Sequence, residues 1–260
     1  MTGPSLADME RVASRFGVGM EQVRRDHLIS HVLAAIATDI STDDLVFFGG
    51  TALSRTHLAD ARLSEDIDLI ARIPRADLAK QIESAVRRGL ARSHGRPTWQ
   101  PALTATSGSQ PTVLSVPDRT GVQVQLLGGE GYDWPTEVVL VEQRYADAPP
   151  ARLRVLTADA FAAAKLGAWI DRGSPRDLYD LWAMTERNLI GPSALQAFMA
   201  HGPFGTPPAA WVFDRTLDEG DWIRALGHQT KLHVTARQAI DAVRQAWADA
   251  EVQRKPTRNT

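Results

Sequence analysis

The stretch Phe47–Ile70, FFGGTALSRTHLADARLSEDIDLI, decides the fold. The apolar run Leu45–Phe48 stops at Gly49–Gly50 and reads as a short buried strand closed by a turn. Thr51–Leu58 then returns as a helix. A second apolar run follows, bounded by Ser64–Glu65 and Pro74, in which Asp66 and Asp68 alternate with Ile67 and Leu69. In a strand this puts both carboxylates on one face and the apolar pair on the other, toward a core. A strand–Gly–Gly–helix turn lets backbone N–H groups face an anion: glycine permits close approach, and the helix N-terminus attracts negative charge. Thr51 adds a hydroxyl. Two carboxylates about 6–7 Å apart repel unless water or a cation intervenes. Hard oxygen donors so placed are what one or two Mg²⁺ ions take. Taken singly, these features read as a connecting turn and as the solvated face of an edge strand. Together they favour a metal–nucleotide site.

Upstream, residues 20–40 carry Leu28, Val32, Ile36 and Ile40 at every fourth position, the pattern of an amphipathic helix. Downstream, Arg75–Ser93 is a second helix, with Leu78, Ile82, Val86 and Leu90 on one face. Residues 95–120 are rich in Gly, Pro, Ser and Thr and contain one strand, Thr112–Val116. Val122, Val124 and Leu126 alternate with Gln123 and Gln125 as a half-buried strand, and Val138–Val141 and Leu153–Leu156 are further strands. Beyond Thr157 the pattern is helical, over 158–171, 175–187, 193–200 and 235–250. Gln253–Thr260 reads as a frayed polar end. The chain is thus expected to be α/β (α+β), a mixed central sheet flanked by helices and followed by a mostly helical C-terminal part. The expected domains are 1–148 and 149–260, divided at Pro149–Pro150.

A second cluster lies in LTADAFAAAKLGAWIDRGSPRDLYDLWAM, residues 156–184. Phe161, Lys165 and Trp169 share one helical ribbon. Lys165 is there either to neutralise phosphate charge or to snorkel beside apolar neighbours. Ser174, Pro175 and Asp177 resemble a helix start with a capping box. Arg176 and Asp180, four apart, form a candidate surface pair.

The strings GGTALSR…RLSEDIDLI and K…DRGSPRDLYDL resemble the AbiEii/AbiGii (MenT-type) nucleotidyltransferase toxin family, itself similar to polymerase β-type nucleotidyltransferases. The resemblance covers roughly residues 40–190. It implies a toxin of a type IV-like toxin–antitoxin pair that uses an NTP, a pyrimidine one, and Mg²⁺. It further implies transfer of NMP to the 3′ acceptor end of tRNA, which blocks translation, and a cognate antitoxin encoded nearby. By this resemblance Gly49, Gly50 and Thr51 match the phosphate-binding turn, Asp66 and Asp68 the metal pair, and Lys165 the lysine that contacts nucleotide phosphates. Asp177 matches the acid of the last motif, with Asp180 as second choice. Arg62 and Ser64 fall inside the first motif, where they would hold phosphate or frame the metal. One departure matters. Related enzymes carry a third carboxylate on a neighbouring strand, and the strand expected there, 121–127, offers Gln123 and Gln125. An amide neither binds Mg²⁺ strongly nor accepts a proton. Asp177 then becomes a candidate for the general base. The acceptor alternatives are a protein or a small molecule, and a catalytically degenerate nucleotide-binding module acting through a partner is the other reading. Phosphorylation at Ser64 or Thr51 is one way an antitoxin would silence such a site.

Composition narrows the classes. The chain has 260 residues, no cysteine and a formal charge of -2. Disulfides, thiol nucleophiles and Cys-ligated metals are excluded. Met1–Phe16 has no apolar h-region and no run is long enough to span a bilayer, so a cytoplasmic protein is expected, as a monomer. Arg87, Arg88, Arg92 and Arg96, with Arg24, Arg25, Arg152, Arg154, Arg172 and Arg176, supply local positive charge for RNA. His27 and His31 are four apart but lack the Glu of HExxH, which argues against zinc hydrolysis. Gly128–Gly131 lacks a Walker lysine and reads as a loop. Trp211, Trp222 and Trp247 are expected in the core or in domain packing rather than as base-stacking platforms.

Overall fold

The computed structural model describes residues 5–254. It divides into two units: Met1–Tyr132 with Thr136–Val155, and Asp133–Pro135 with Leu156–Thr260.

In the first unit, β1 (Leu45–Phe48) and β2 (Asp66–Ala71) pair antiparallel, with Phe48 opposite Asp68. The remaining strands are β3 (Thr98–Gln100), β4 (Thr112–Ser115), β5 (Gly121–Gly128), β6 (Thr136–Val141) and β7 (Ala151–Leu156). The sheet order is β3-β4-β5-β2-β1-β7-β6. β2 runs parallel to β5, β1 runs parallel to β7, and the β3–β4 and β4–β5 pairs are antiparallel. This is the mixed sheet the alternating patterns predict. Ile67, Leu69, Val122, Val124 and Leu126 are buried, as a half-buried strand requires.

The helices of this unit are α1 (Leu6–Phe16), α2 (Met20–Asp39), α3 (Gly49–Ser54) and α4 (Arg75–Leu90). α2 packs against α4, and both lie against β5. Leu28, Val32 and Ile36 of α2 and Leu78, Ile82, Val86 and Leu90 of α4 are all buried. α1 is an addition to the sequence reading. Met9, Val12 and Phe16 share one face and join Val18, Val23, Leu63, Tyr145 and Ala148 in a separate cluster. The spacing i, i+3, i+7 was the available signal.

The second unit is helical: α5 (Ala158–Arg172), α6 (Pro175–Thr185), α7 (Pro192–His201), α8 (Glu219–Leu226) and α9 (Ala236–Arg254). α5 packs on α6 and α7, α9 on the same two, and α8 on α6. The Trp169 indole donates to the Val212 carbonyl (3.0 Å) and the Trp222 indole to the Val234 carbonyl (2.9 Å), so both rings are buried without stranding their N–H groups.

Several expected elements change. The helix expected from Thr51 to Leu58 is α3, which ends at Ser54, and the one expected to reach Ser93 ends at Leu90. β3 and α8 are additional; three residues and eight residues give too little periodicity to stand out. Gly128 belongs to β5 rather than to a loop. α9 continues through Gln253 and Arg254, so these are not frayed, while 255–260 lie outside the described residues. Trp222 and Trp247 are buried, but Trp211 is 58% exposed and meets the exposed Phe204 edge to face, so it is not core. Among the described residues no helix is long and apolar enough to cross a membrane.

Candidate active site

The first cluster forms where β1 turns into α3 beside β2. Gly49 has φ +78°, a left-handed conformation that glycine alone adopts readily. A Cβ built there would fall 2.1 Å from Asp68 Oδ2, so the carboxylate lies directly against the turn backbone. At Gly50 the built Cβ would meet Arg62 Nη2 at 2.9 Å and Ser64 Oγ at 3.0 Å. The two glycines are therefore the contact surface on which Asp68, Arg62 and Ser64 converge. The Thr51 hydroxyl is buried and donates to the Asp66 carbonyl. It ties the turn to β2 and does not point outward as the free donor the sequence suggested. The first-turn N–H groups of α3, Gly49 to Thr51, have no intrahelical acceptor. Of the two hydroxyls considered for modification, Ser64 is the nearer to solvent, 8% exposed against 1% for Thr51.

Asp66 and Asp68 are half-buried while Ile67 and Leu69 between and beside them are fully buried, as alternation requires. The parallel register sets Asp66 against Gln123 and Asp68 against Gln125. The neighbouring strand is thus correctly identified, and amides stand where a third carboxylate was sought. Gln125 donates its amide to the Ser109 carbonyl.

Two aromatic residues near this cluster were not anticipated. Phe48 and Tyr132 meet edge to face with ring centroids 5.7 Å apart. Burial, and then the negative charge of Asp68, push the Tyr132 hydroxyl up to about 12. Arg55, just after α3, was also missed. It donates to Asp26 Oδ1 (2.7 Å), the Asp26 carbonyl (2.9 Å), Ser30 Oγ (2.8 Å) and the Glu142 carbonyl (2.9 Å). Arg144 donates to the same Asp26 oxygen at 2.8 Å, and the Tyr145 hydroxyl to its other oxygen at 3.0 Å. This buried network anchors the end of the helix that carries the glycine turn.

The second cluster belongs to the second unit. Lys165, on α5, lies 3.1 Å from Asp177 Oδ1 and 2.7 Å from Asp180 Oδ2, both on α6. Arg172 donates to Asp177 at 2.6 and 2.9 Å. Lys165, Asp177 and Asp180 are buried, whereas Arg172 is exposed. The structure thus brings together the lysine and both candidate acids. It also changes two readings: Asp177 spends its carboxylate on these cations rather than on a capping box, and Asp180, expected at the surface, is buried against Lys165. Burial pushes the Asp177 carboxyl up, but the charge of Lys165 and the hydrogen bonds and charge of Arg172 outweigh it and hold it down at about 2. A carboxylate so held is a poor proton acceptor near neutrality. Because the folded value lies below the ordinary 3.8, the stabilisation is complete above about pH 4 and is lost as pH falls toward about 2. Asp177→Asn is expected to cost about 2 kcal/mol at neutral pH and to flatten the fall in urea midpoint between pH 4 and 2.

Several arginines proposed for RNA are already paired. Arg88 meets Asp39 (2.8 Å), Arg25 meets Glu65 (2.8 Å), and Arg154 meets Asp43 (2.6 Å). Arg87, Arg92 and Arg96 are exposed.

Residues 31–251 match the family described as nucleotidyl transferase AbiEii toxin, type IV TA system. Among solved structures, the chain is similar to MenT4, a nucleotidyltransferase toxin from Mycobacterium tuberculosis H37Rv: 21% identity over 96% of this chain and 92% of that one, TM-score 0.71. A nucleotidyltransferase-like antigenic protein from Paracoccidioides brasiliensis aligns at 13% identity over 82% of this chain and 97% of that one, TM-score 0.37. No curated protein matches.

Proposed function

This chain belongs to the AbiEii nucleotidyltransferase toxin family of type IV toxin–antitoxin systems, and from that premise we propose that it transfers NMP from a pyrimidine NTP to the 3′ end of tRNA. The observation that carries the reading is the Asp66/Asp68 pair on β2, pressed against the Gly49–Gly50 turn. The hard oxygens of these two carboxylates, half-buried and on one strand face, fit Mg²⁺. When bound, the metal supplies positive charge at the triphosphate and orientation of the acceptor hydroxyl.

The chain's own residues do the rest. The N–H groups of Gly49, Gly50 and Thr51 bind triphosphate oxygens, and Arg62 and Ser64 frame them. Within the second unit Asp177 and Asp180 are positioning residues that hold the Lys165 ammonium group, and Lys165 keeps the nucleotide-contacting role that the family resemblance implies. The acceptor 3′-oxygen attacks the α-phosphorus, the bond from that phosphorus to the bridging oxygen breaks, and pyrophosphate leaves. With Gln123 and Gln125 beside the acids and Asp177 held as a carboxylate by cations, the hydroxyl proton passes to water. Exposed Arg87, Arg92 and Arg96 give tRNA a phosphate-contacting surface. Loss of aminoacylatable tRNA blocks translation in the cytoplasm, and a cognate antitoxin restrains the monomeric enzyme.

The test is incubation of the pure chain with tRNA, Mg²⁺ and each labelled NTP in turn. Label on tRNA 3′ ends with CTP or UTP is expected; label on protein or on a small molecule instead would reassign the acceptor. No label anywhere, with Asp66→Ala equal to wild type in cells, would remove the reading. Gly49→Ala, which drives a methyl group into Asp68 and forces a left-handed residue, is expected to cost roughly 1–2 kcal/mol of stability. It should also reduce transfer at least ~10-fold, by misplacing the Asp68 carboxylate, a loss of about 1.4 kcal/mol in the transition state.

A further inference from the structure

Three histidines from two segments distant in sequence converge within the first unit. His27 and His31 lie on consecutive turns of α2, and His94 follows α4. Their ring centroids are 4.6 to 4.9 Å apart, and one ligand atom from each lies within 4.8 Å of the others. His27 and His31 are 3% and 7% exposed.

The hydrogen bonds around the cluster fix the tautomer of His27. The Asp147 carboxylate, which only accepts, lies 3.1 Å from His27 Nε2 through each oxygen, so that nitrogen is the donor. His27 Nδ1 then presents a lone pair toward His94 Nε2, 3.1 Å away. The other nitrogen of His94 is engaged by Ser93 Oγ at 2.9 Å. His31 Nε2 is buried and makes no hydrogen bond; its nearest charged neighbour is Asp147 Oδ2 at 3.4 Å. A neutral His94 with its proton on Nε2 completes this contact as an ordinary hydrogen bond, and the same lone pair of His27 Nδ1 is what a metal ion would take. That hydrogen bond leaves out His31, whose Nε2 has only the 3.4 Å approach to Asp147, whereas a metal ion engages all three rings.

We propose that His27, His31 and His94 bind one zinc ion, with Asp147 as the carboxylate that orients His27. Three neutral imidazoles suit Zn²⁺, whose ligand nitrogens in a tetrahedral site stand about 3.4 Å apart. The 3.1 Å pair is already near that edge, and His31 closes by a side-chain shift on the order of 1 Å. An Asp accepting from a ligating His is the recurrent outer partner of zinc sites. The ion joins α2, the turn after α4 and the segment between β6 and β7. That segment also carries Arg144 and Tyr145, which clasp Asp26 next to His27. The site is thus a structural clamp, and it does not depend on the transfer chemistry.

The experiment uses the untagged full chain. Zinc is measured by elemental analysis after dialysis and by competition with a chromophoric chelator. About one zinc per chain is expected in wild type and equally in Asp66→Asn, which disables the acidic pair. The thermal midpoint should rise by ~5 °C or more at a hundredfold excess over Kd. His31→Gln and His94→Gln should each weaken binding at least ~10-fold and abolish the zinc-dependent rise. Cobalt substitution of wild type gives a readout that needs no variant to fold: visible bands of tetrahedral intensity are expected. The proposal is overturned if wild type takes up no zinc at micromolar concentration, if it gives no such cobalt bands, if binding survives both histidine substitutions, or if it disappears with Asp66→Asn.

Discussion

Asp68→Asn, and equally Asp66→Asn, is expected to reduce nucleotide transfer roughly a thousand-fold, about 4 kcal/mol of transition-state stabilisation. The replacement keeps the size and planarity of the side chain and removes only the charge. β2 stays paired with β1 and β5, because the residues that bury this strand are Ile67, Leu69 and Ile70. What goes is one of two hard anionic ligands, and Gln123 and Gln125 across the register offer no replacement. Unchanged circular dichroism with lost label transfer to tRNA would place the effect on chemistry. Transfer within tenfold of wild type would show that the acidic pair does not hold the catalytic metal. Because affinity for the ion falls as well, raising Mg²⁺ should recover part of the Asn variants' activity.

Asp26→Ala is expected to be the most damaging single change to stability, about 3–5 kcal/mol, read as a lower urea midpoint and a thermal midpoint ~10 °C or more below wild type. Asp26 is 1% exposed, and its two partner guanidinium groups are buried equally well, Arg55 at 2.7 Å and Arg144 at 2.8 Å. Burial pushes the Asp26 carboxyl up, but the charges of Arg55 and Arg144 and the Tyr145 hydrogen bond bring it below the usual range. Removing the anion leaves two cations facing each other in the interior, an arrangement far costlier than the gain from the pair itself. Asp26→Asn, which retains an acceptor for Tyr145 and the arginines, should fall between the two. Since Arg55 closes α3, the loss should also loosen the glycine turn and lower transfer even where the variant remains folded.

How far these features could be read beforehand depended on whether their partners are local. α2, α4, β2 and β5 were legible because burial at a fixed period is written into consecutive residues such as Leu28–Val32–Ile36 and Val122–Val124–Leu126. The acidic pair was legible for the same reason, and the glycine turn because it ends a strand. The Lys165–Asp177 pairing was visible only as two separate motif residues, with Asp177 equally readable as a cap. The Asp26 network left no mark: its two arginines stand 29 and 118 positions from Asp26, and nothing in the sequence around a lone Asp or Arg announces such a partner. Likewise His27 and His31 read as an incomplete motif until His94 arrived from 67 positions away.

By itself, then, the sequence determined the residues that bring chemistry: two alternating carboxylates, a glycine turn, and a lysine ahead of an Arg–Asp helix start. These are set by backbone geometry and side-chain period, which are local. Only the tertiary structure decided what each group is bonded to. It turned the Thr51 hydroxyl inward to the Asp66 carbonyl, set amides against both acids, and made Asp177 the partner of Lys165. The physical reason is that hydrogen bonds and ion pairs between distant segments form only once burial has removed water from both partners.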